Sequence, residues 1–222
     1  MKGDQSDKTK DDSGLPVVPA NDAKRKYGPL ATLTVGPLLL GISFAYAIYY
    51  YGNKAMYDYR TEKLYASNLF WGCAAVVVLG RVGAFVNCYP LVHKGCFLTT
   101  ESSQLWFNPF FYRAIGKDAP VNTIVLDPSG VVGCFNRANR CVYDVLEMYT
   151  VLLAGLWLAS AVFALPVLIL TGVFSLGWIL HVMGLTNNNR GHGLGYILAA
   201  AATTTIEGML ALIVLKACTA PA

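Results

Sequence analysis

Long apolar stretches alternate with short polar ones along this chain, and the intervals without charge set the elements. No Asp, Glu, Lys or Arg occurs in the 27 positions between Lys26 and Lys54. Seventeen more lie between Lys63 and Arg81, and the apolar character continues to about Val92. The longest interval, 42 residues, is bounded by Glu147 and Arg190, and the last runs from His192 to about Lys216 with one interruption at Glu207. A helix crosses the hydrocarbon with roughly 20 apolar residues at 1.5 Å each. Forty-two is therefore too many for one span and right for two, with Pro166 where a turn must fall. The pattern predicts five spanning helices, near 29–51, 69–92, 137–164, 167–185 and 192–217. Lipid cannot satisfy backbone polar groups, and the apolar runs lack the alternation of a barrel, so helices are the expected form.

Composition agrees. Of 222 residues 55% are hydrophobic and 14% charged, with a mean hydropathy of +0.47, against about 25% charged in an ordinary soluble domain. Eleven of the 30 charged residues fall in residues 1–28, so 19 serve the other 194 positions. That scarcity excludes a soluble enzyme, a disordered protein and a nucleic-acid binder, and points to a lipid bilayer as the principal partner. Residues 1–28 form a polar, mixed-charge tail expected to be disordered. No apolar core precedes residue 29, so the first helix reads as an uncleaved signal anchor. Residues 52–68 read as an interfacial connection. With five spans, Lys24, Arg25, Lys26, Lys94, Arg113, Lys117, Arg137 and Arg190 share one side; Lys54, Arg60, Lys63 and Lys216 lie on the other. The excess of positive charge assigns the N-terminus to the cytosol.

Two aromatic groups stand beside the spans. Tyr49, Tyr50, Tyr51, Tyr57, Tyr59, Tyr65 and Trp71 surround the first connection, as interfacial aromatics do. Trp106, Phe107, Phe110, Phe111 and Tyr112 sit in the cytosolic loop 93–136, where they read as a segment lying in the interface or as a packed plug. Cys73, Cys88, Cys96, Cys134, Cys141 and Cys218 show no CxxC pair and read as small apolar side chains. His93, His181 and His192 are too scattered for a metal site, so none is expected.

Candidate chemistry gathers at the start of the third helix. Arg137, Arg140, Asp144 and Glu147 are spaced 3, 4 and 3, which lines them along one helical face at the cytosolic mouth. Such a face either satisfies itself, Arg140 pairing with Asp144, or binds a small zwitterionic ligand. The turn Asn187-Asn188-Asn189-Arg190 lies on the same side. Arg190 there is either a topology-setting charge or a cation that stabilises a bound thiolate. Deeper in the membrane, Glu207 is expected to face the bundle, and Arg81 is its candidate partner if the second helix runs to Val92. Gly172, Gly177, Gly184 and the Ala199–Ala202 run read as close-packing positions between helices.

The segment Phe135-Asn136-Arg137-Ala138-Asn139-Arg140-Cys141-Val142-Tyr143-Asp144-Val145-Leu146-Glu147-Met148-Tyr149 resembles the signature helix of the MAPEG family, the membrane-associated proteins in eicosanoid and glutathione metabolism. It is most similar to the type 3 microsomal glutathione S-transferase branch, whose pattern reads roughly FNxxxRAHxNxLExY. Phe135, Asn136, Arg140, Leu146, Glu147 and Tyr149 agree with it. Asp127-Pro128, Arg81-Val82-Gly83, Gly177, Gly184, Arg190-Gly191 and Leu194-Gly195 extend the likeness over roughly 69–217. The resemblance implies an all-α integral membrane protein, a MAPEG-like four-helix bundle at 69–217 with an enlarged cytosolic loop. One additional transmembrane helix, 29–51, precedes it.

The resemblance further implies a homotrimer, with glutathione as co-substrate held near the cytosolic face between subunits. Carried over by position, Arg140 and Glu147 hold the charged ends of glutathione and Arg190 stabilises its thiolate. Arg137, Asp144 and His181 stand at neighbouring contact positions. The thiolate then attacks a lipophilic electrophile or reduces a lipid hydroperoxide, in an endoplasmic reticulum or mitochondrial membrane. Departures from the pattern fall among these contacts: Asp144 replaces an Asn, Cys141-Val142 replaces Ala-His, Trp178 an Arg, and His181 and Leu185 two Tyr. A non-catalytic scaffold or accessory subunit of a membrane complex is the alternative from a different class.

Overall fold

The computed structural model describes residues 24–98, 108–114, 124–187 and 192–219. Among the described residues six helices follow one another: α1 (Gly28–Tyr51), α2 (Lys54–Ala66), α3 (Phe70–Cys88), α4 (Pro90–Lys94), α5 (Gly130–Thr186) and α6 (His192–Thr219). Four helical stretches among the described residues are long and apolar enough to cross a membrane: Gly28–Tyr51, Phe70–Lys94, Gly130–Thr186 and Gly193–Thr219. The chain is an all-α membrane protein in its spans. Between α4 and α5 it departs from purely helical structure, because strands β1 (Tyr112–Ala114) and β2 (Ile124–Leu126) pair antiparallel with Arg113 opposite Val125.

The 57 residues of α5 would measure about 85 Å if straight. They do not run straight. Phe163 leaves helical geometry at φ −120°, ψ 45°. The break lies three residues before Pro166, the expected turn, because a proline lacks the N–H that would reach the carbonyl of residue 162 and its ring crowds that carbonyl. The two arms, 130–162 and 164–186, fold back so that their far ends meet. Arg137 near one end donates to the Leu185 and Thr186 carbonyls at the other, at 3.0 and 3.1 Å. The first arm begins at Gly130, seven residues before the expected start, so Arg137 and Arg140 lie inside the helix.

Packing centres on α5. Against its first arm lies α3, where Tyr149 donates to the Leu79 carbonyl at 2.6 Å and its hydroxyl would stand 2.8 Å from a Cβ at Gly83. Gly72 is covered by Ser160 in the same way. The second arm crosses α6 with backbones nearly touching. A Cβ on Gly195 would come within 2.5 Å of the His181 amide nitrogen, and one on Gly177 within 2.7 Å of the Gly195 carbonyl. Leu79, Val86, Cys141, Leu152, Leu156, Phe174, Trp178, Val182, Ala199 and Ile206 fill the core. Gly177 and Ala199 thus serve helix packing as expected, whereas Gly172 faces open space.

The outer helices are held lightly. Leu30 is the buried residue of α1, and Leu40, Phe44, Tyr46 and Ile48 are exposed in its membrane stretch. Arg81 of α3 joins the two helices by donating to the Thr34 carbonyl at 2.6 Å. The expected Arg81–Glu207 pair does not form, although the helix carrying Arg81 runs beyond Gly83 to Cys88. Arg81 turns toward α1, while α6 packs on α5. Glu207 is exposed on the outer side of α6, contrary to the inward orientation expected for it. The connection 52–68 is a helix, α2, with no buried residue. Asn53 caps it by accepting from the Met56 N–H, and Tyr49 donates to Asp58 across the junction with α1.

Candidate functional site

The entry to α5 is built by its short side chains. Asp127 accepts from the Ser129 N–H at 2.9 Å and from the Ser129 hydroxyl. These bonds, the hydroxyl's foremost, hold the Asp127 carboxyl below the usual carboxylate range. Gly130 follows at φ 55°, and Gly133 lies so close to Pro128 that a Cβ would overlap its carbonyl oxygen at 2.1 Å. The helix therefore starts under a tight loop. Asn136 secures that loop through three hydrogen bonds: from the Phe111 N–H at 3.0 Å, to the Phe111 carbonyl at 2.8 Å and to the Asp127 carbonyl at 2.9 Å. Asn139 donates to the Asn108 carbonyl at 2.7 Å. Phe111 packs edge-on against Phe97 and Phe135, and Phe110 stacks on Tyr143. Between 108 and 111 the loop thus packs, half-buried, against the start of α5. Trp106 and Phe107 lie outside the described residues.

The four charges of the proposed ligand face separate into different roles. Arg137 is committed to backbone: besides Leu185 and Thr186, it donates to the Pro128 carbonyl at 2.9 Å and contacts the Cys134 sulfur at 3.5 Å. It caps the last carbonyls of α5 with the first turns of the same helix. Arg140 and Asp144 form an i,i+4 ion pair at 2.9 Å, with side chains 59% and 26% exposed. Glu147, one turn on, is exposed. At 100° per residue, Arg140, Asp144 and Glu147 form a stripe opposite Cys141, Val145 and Tyr149, the residues facing the core and α3. The stripe points out of the protomer.

His181 is buried, edge-on to Trp178 with ring centroids 5.3 Å apart and 5.6 Å from Tyr196. It lies beneath the α5–α6 crossing and apart from the outward stripe. Arg190, the thiolate-stabilising candidate, lies outside the described residues, as do Asn188, Asn189 and Gly191. All six cysteines are free thiols. Burial pushes the Cys96 thiol up, away from thiolate reactivity at neutral pH. An apolar groove of about 320 Å³ opens between α3 and α5, lined by Gly80, Gly83, Asn87, Val142, Leu146 and Tyr149. It lies on the far side of α5 from Arg140 and Asp144.

A second polar group at the same end has no counterpart in the sequence reading. His93 is fully buried and, among the described residues, both its ring nitrogens lack a hydrogen-bond partner, as does the buried Thr186 hydroxyl. The His93 ring meets Tyr89 edge-on at 5.4 Å. Arg25 reaches over them to Asn187 at 2.6 Å, tying the segment before α1 to the end of α5. The i,i+4 spacing of Tyr89 and His93 was the available signal. Comparison with protein-family models, curated proteins and solved structures yields no match to this chain.

Proposed function

We propose that this chain is a five-span, MAPEG-like membrane protein, with its N-terminus in the cytosol, that uses glutathione against lipophilic electrophiles or lipid hydroperoxides. The observation that carries the reading is the stripe Arg140, Asp144 and Glu147: both signs of charge on one exposed helical face, pointing away from its own bundle. Glutathione carries ammonium and carboxylate groups of its own, so a face of mixed sign suits it. An outward stripe is the half-site that a neighbouring subunit of a trimer would complete. Glu147 and Arg140 bind the tripeptide, and Arg190 supplies the cation that keeps its sulfur as thiolate. The thiolate forms a carbon–sulfur bond with the electrophile, whose leaving group departs. With a hydroperoxide it attacks the terminal oxygen, breaking the O–O bond to release the alcohol and leave a sulfenic acid on glutathione, and the thiol of a second glutathione displaces water from that sulfur to form the disulfide. The membrane is that of the endoplasmic reticulum or mitochondrion.

A scaffold without catalysis is the second reading, and the sequestered groups favour it. Arg137 is occupied by carbonyls, and His181 is enclosed by aromatic rings. Glutathione conjugation to 1-chloro-2,4-dinitrobenzene and reduction of cumene hydroperoxide, measured on the detergent-purified full chain, decide between them. The enzyme reading expects turnover that Arg190→Ala removes, and a raised KM for glutathione in Glu147→Gln. A wild type that neither binds glutathione nor turns over either probe leaves the scaffold.

A further inference from the structure

The group around His93 is the largest set of unmatched polar atoms among the described residues. Both ring nitrogens of His93 and the hydroxyls of Tyr89 and Thr186 are buried without a hydrogen-bond partner, four of the seven side-chain atoms in that condition. The three side chains are at most 1% exposed. Buried polar groups are ordinarily hydrogen-bonded, so four unmatched atoms together call for an occupant. Tyr89 and His93 come from the end of the Phe70–Lys94 stretch, and Thr186 is the last residue of α5. Two guanidiniums bracket all three. Arg25 and Arg137 are the charges that act on His93, and Arg25 acts on Tyr89 as well. Arg137 holds the Thr186 carbonyl at 3.1 Å, and Arg25 holds the Asn187 side chain at 2.6 Å.

The charge around this group is of one sign. Segments 24–27, 89–98, 130–139 and 182–187 carry Lys24, Arg25, Lys26, Lys94 and Arg137 and no Asp or Glu. Neither Arg25 nor Arg137 forms an ion pair among the described residues. Arg137 is occupied by carbonyls, whereas Arg25 is exposed and bonded to a neutral amide. Two hydroxyls and an imidazole with at least one N–H are donors, and with cations beside them and no carboxylate they suit an anion. Donors that arrive from separate elements meet a tetrahedral set of oxygens better than a planar carboxylate, which a single guanidinium fork matches. The basic run Lys24–Lys26 stands directly before α1, where a membrane span begins and lipid phosphates lie.

We propose that this group is a phosphate site, in which Arg25 supplies the charge and Tyr89, His93 and Thr186 hydrogen-bond the oxygens. The exposed Arg25 is its movable part, exchanging the bond to Asn187 for one to the phosphate. The phosphate belongs to an anionic lipid headgroup or comes free from solution. The site lies inside the protomer, apart from the outward stripe of Arg140, Asp144 and Glu147, and does not rest on the glutathione reading.

Equilibrium binding to the detergent-purified full chain tests it, with labelled dioctanoyl phosphatidic acid, dioctanoyl phosphatidylcholine and inorganic phosphate as probes. Phosphatidic acid is expected to bind in preference to phosphatidylcholine, whose phosphate is covered by choline. Binding of inorganic phosphate as well assigns a source in solution, and binding of phosphatidic acid alone assigns the headgroup. Tyr89→Phe and Thr186→Val each remove one hydroxyl with little change of shape, and each is expected to weaken binding about tenfold. Arg25→Ala is expected to weaken it further and Arg25→Lys to retain most of it. Lys24→Ala, outside the group, is expected to leave it nearly unchanged. A wild type that binds neither phosphate probe overturns the proposal, as does equal affinity for the two lipids. Equal losses in Lys24→Ala and Tyr89→Phe would show a diffuse basic surface and overturn it too. Displacement of phosphatidic acid by excess glutathione would make the group a glutathione subsite and overturn a separate phosphate site.

Discussion

Arg137 and Arg140 lie one turn apart on the same helix, yet they belong to different problems. Arg137 donates to the carbonyls of Pro128, Leu185 and Thr186, whereas Arg140 meets Asp144 in the open. Hydrogen bonds from a charged donor contribute about 1.5–3 kcal/mol each, and exposed ion pairs about 0–1. Arg137→Ala should therefore lower stability by at least about 2 kcal/mol, read by thermal unfolding in detergent, while Arg140→Ala leaves it nearly unchanged. The spacing of these charges was legible in the sequence; their division was not. It depends on residues 48 and 49 positions away being folded back to the helix start. Asp127 supplies a pH effect at the same loop. Its native pKa lies below the ordinary value of about 3.9, so its stabilising contribution is fully present above that value. It is lost as pH falls through the lower native pKa. Ser129→Ala should raise the Asp127 titration toward the ordinary value, detected by carboxyl-carbon NMR; an unmoved titration would show that the Ser129 hydroxyl is not its main cause.

At the scale of elements, the crossing of α5 with α6 separates glycines that the sequence presents alike. Gly172 and Gly177 are five residues apart, a rotation of about 140° around the helix at 100° per residue. Gly177 meets Gly195 and Ala199, while Gly172 meets nothing. Gly195→Ala should force the helices apart and cost about 1–3 kcal/mol, as overpacking does. Gly172→Ala should be neutral or stabilise by up to about 1 kcal/mol, since alanine is the better helix former. Thermal unfolding of the pair checks the contrast, and equal effects would contradict the close crossing. The apolar intervals placed the long helices within a few residues, because hydrophobic length is a local property. The start of α5 was placed seven residues late, because Arg137 marked its boundary in the sequence, whereas the structure begins the helix at Gly130. Which side of each helix faces the bundle stayed hidden for the same reason at Glu207. Small and large apolar residues both surround it, so the pattern around it carries no amphipathic direction.

For the whole molecule, the long helix α5 reverses on itself. Its straight length of about 85 Å far exceeds a bilayer of about 40–45 Å including headgroups. The helix must either protrude or return, and the Arg137 bonds to Leu185 and Thr186 require that it return. If each arm crosses, α5 contributes two spans to those of α1, α3 and α6, and an odd total puts the termini on opposite sides. The proposed orientation would then have the N-terminus, on the side with more positive charge, in the cytosol. Labelling with a membrane-impermeant maleimide in sealed, cytosol-side-out vesicles reads this directly. A cysteine at Ser6→Cys, in a chain also carrying Cys218→Ser, should react without detergent. The native Cys218, exposed near the end of α6, should react only after permeabilisation, with the Cys218→Ser chain identifying its signal. Reaction of both from outside would mean an even number of crossings. A returning α5 contributes two crossings or none, so an even total would mean that one of α1, α3 and α6 does not span.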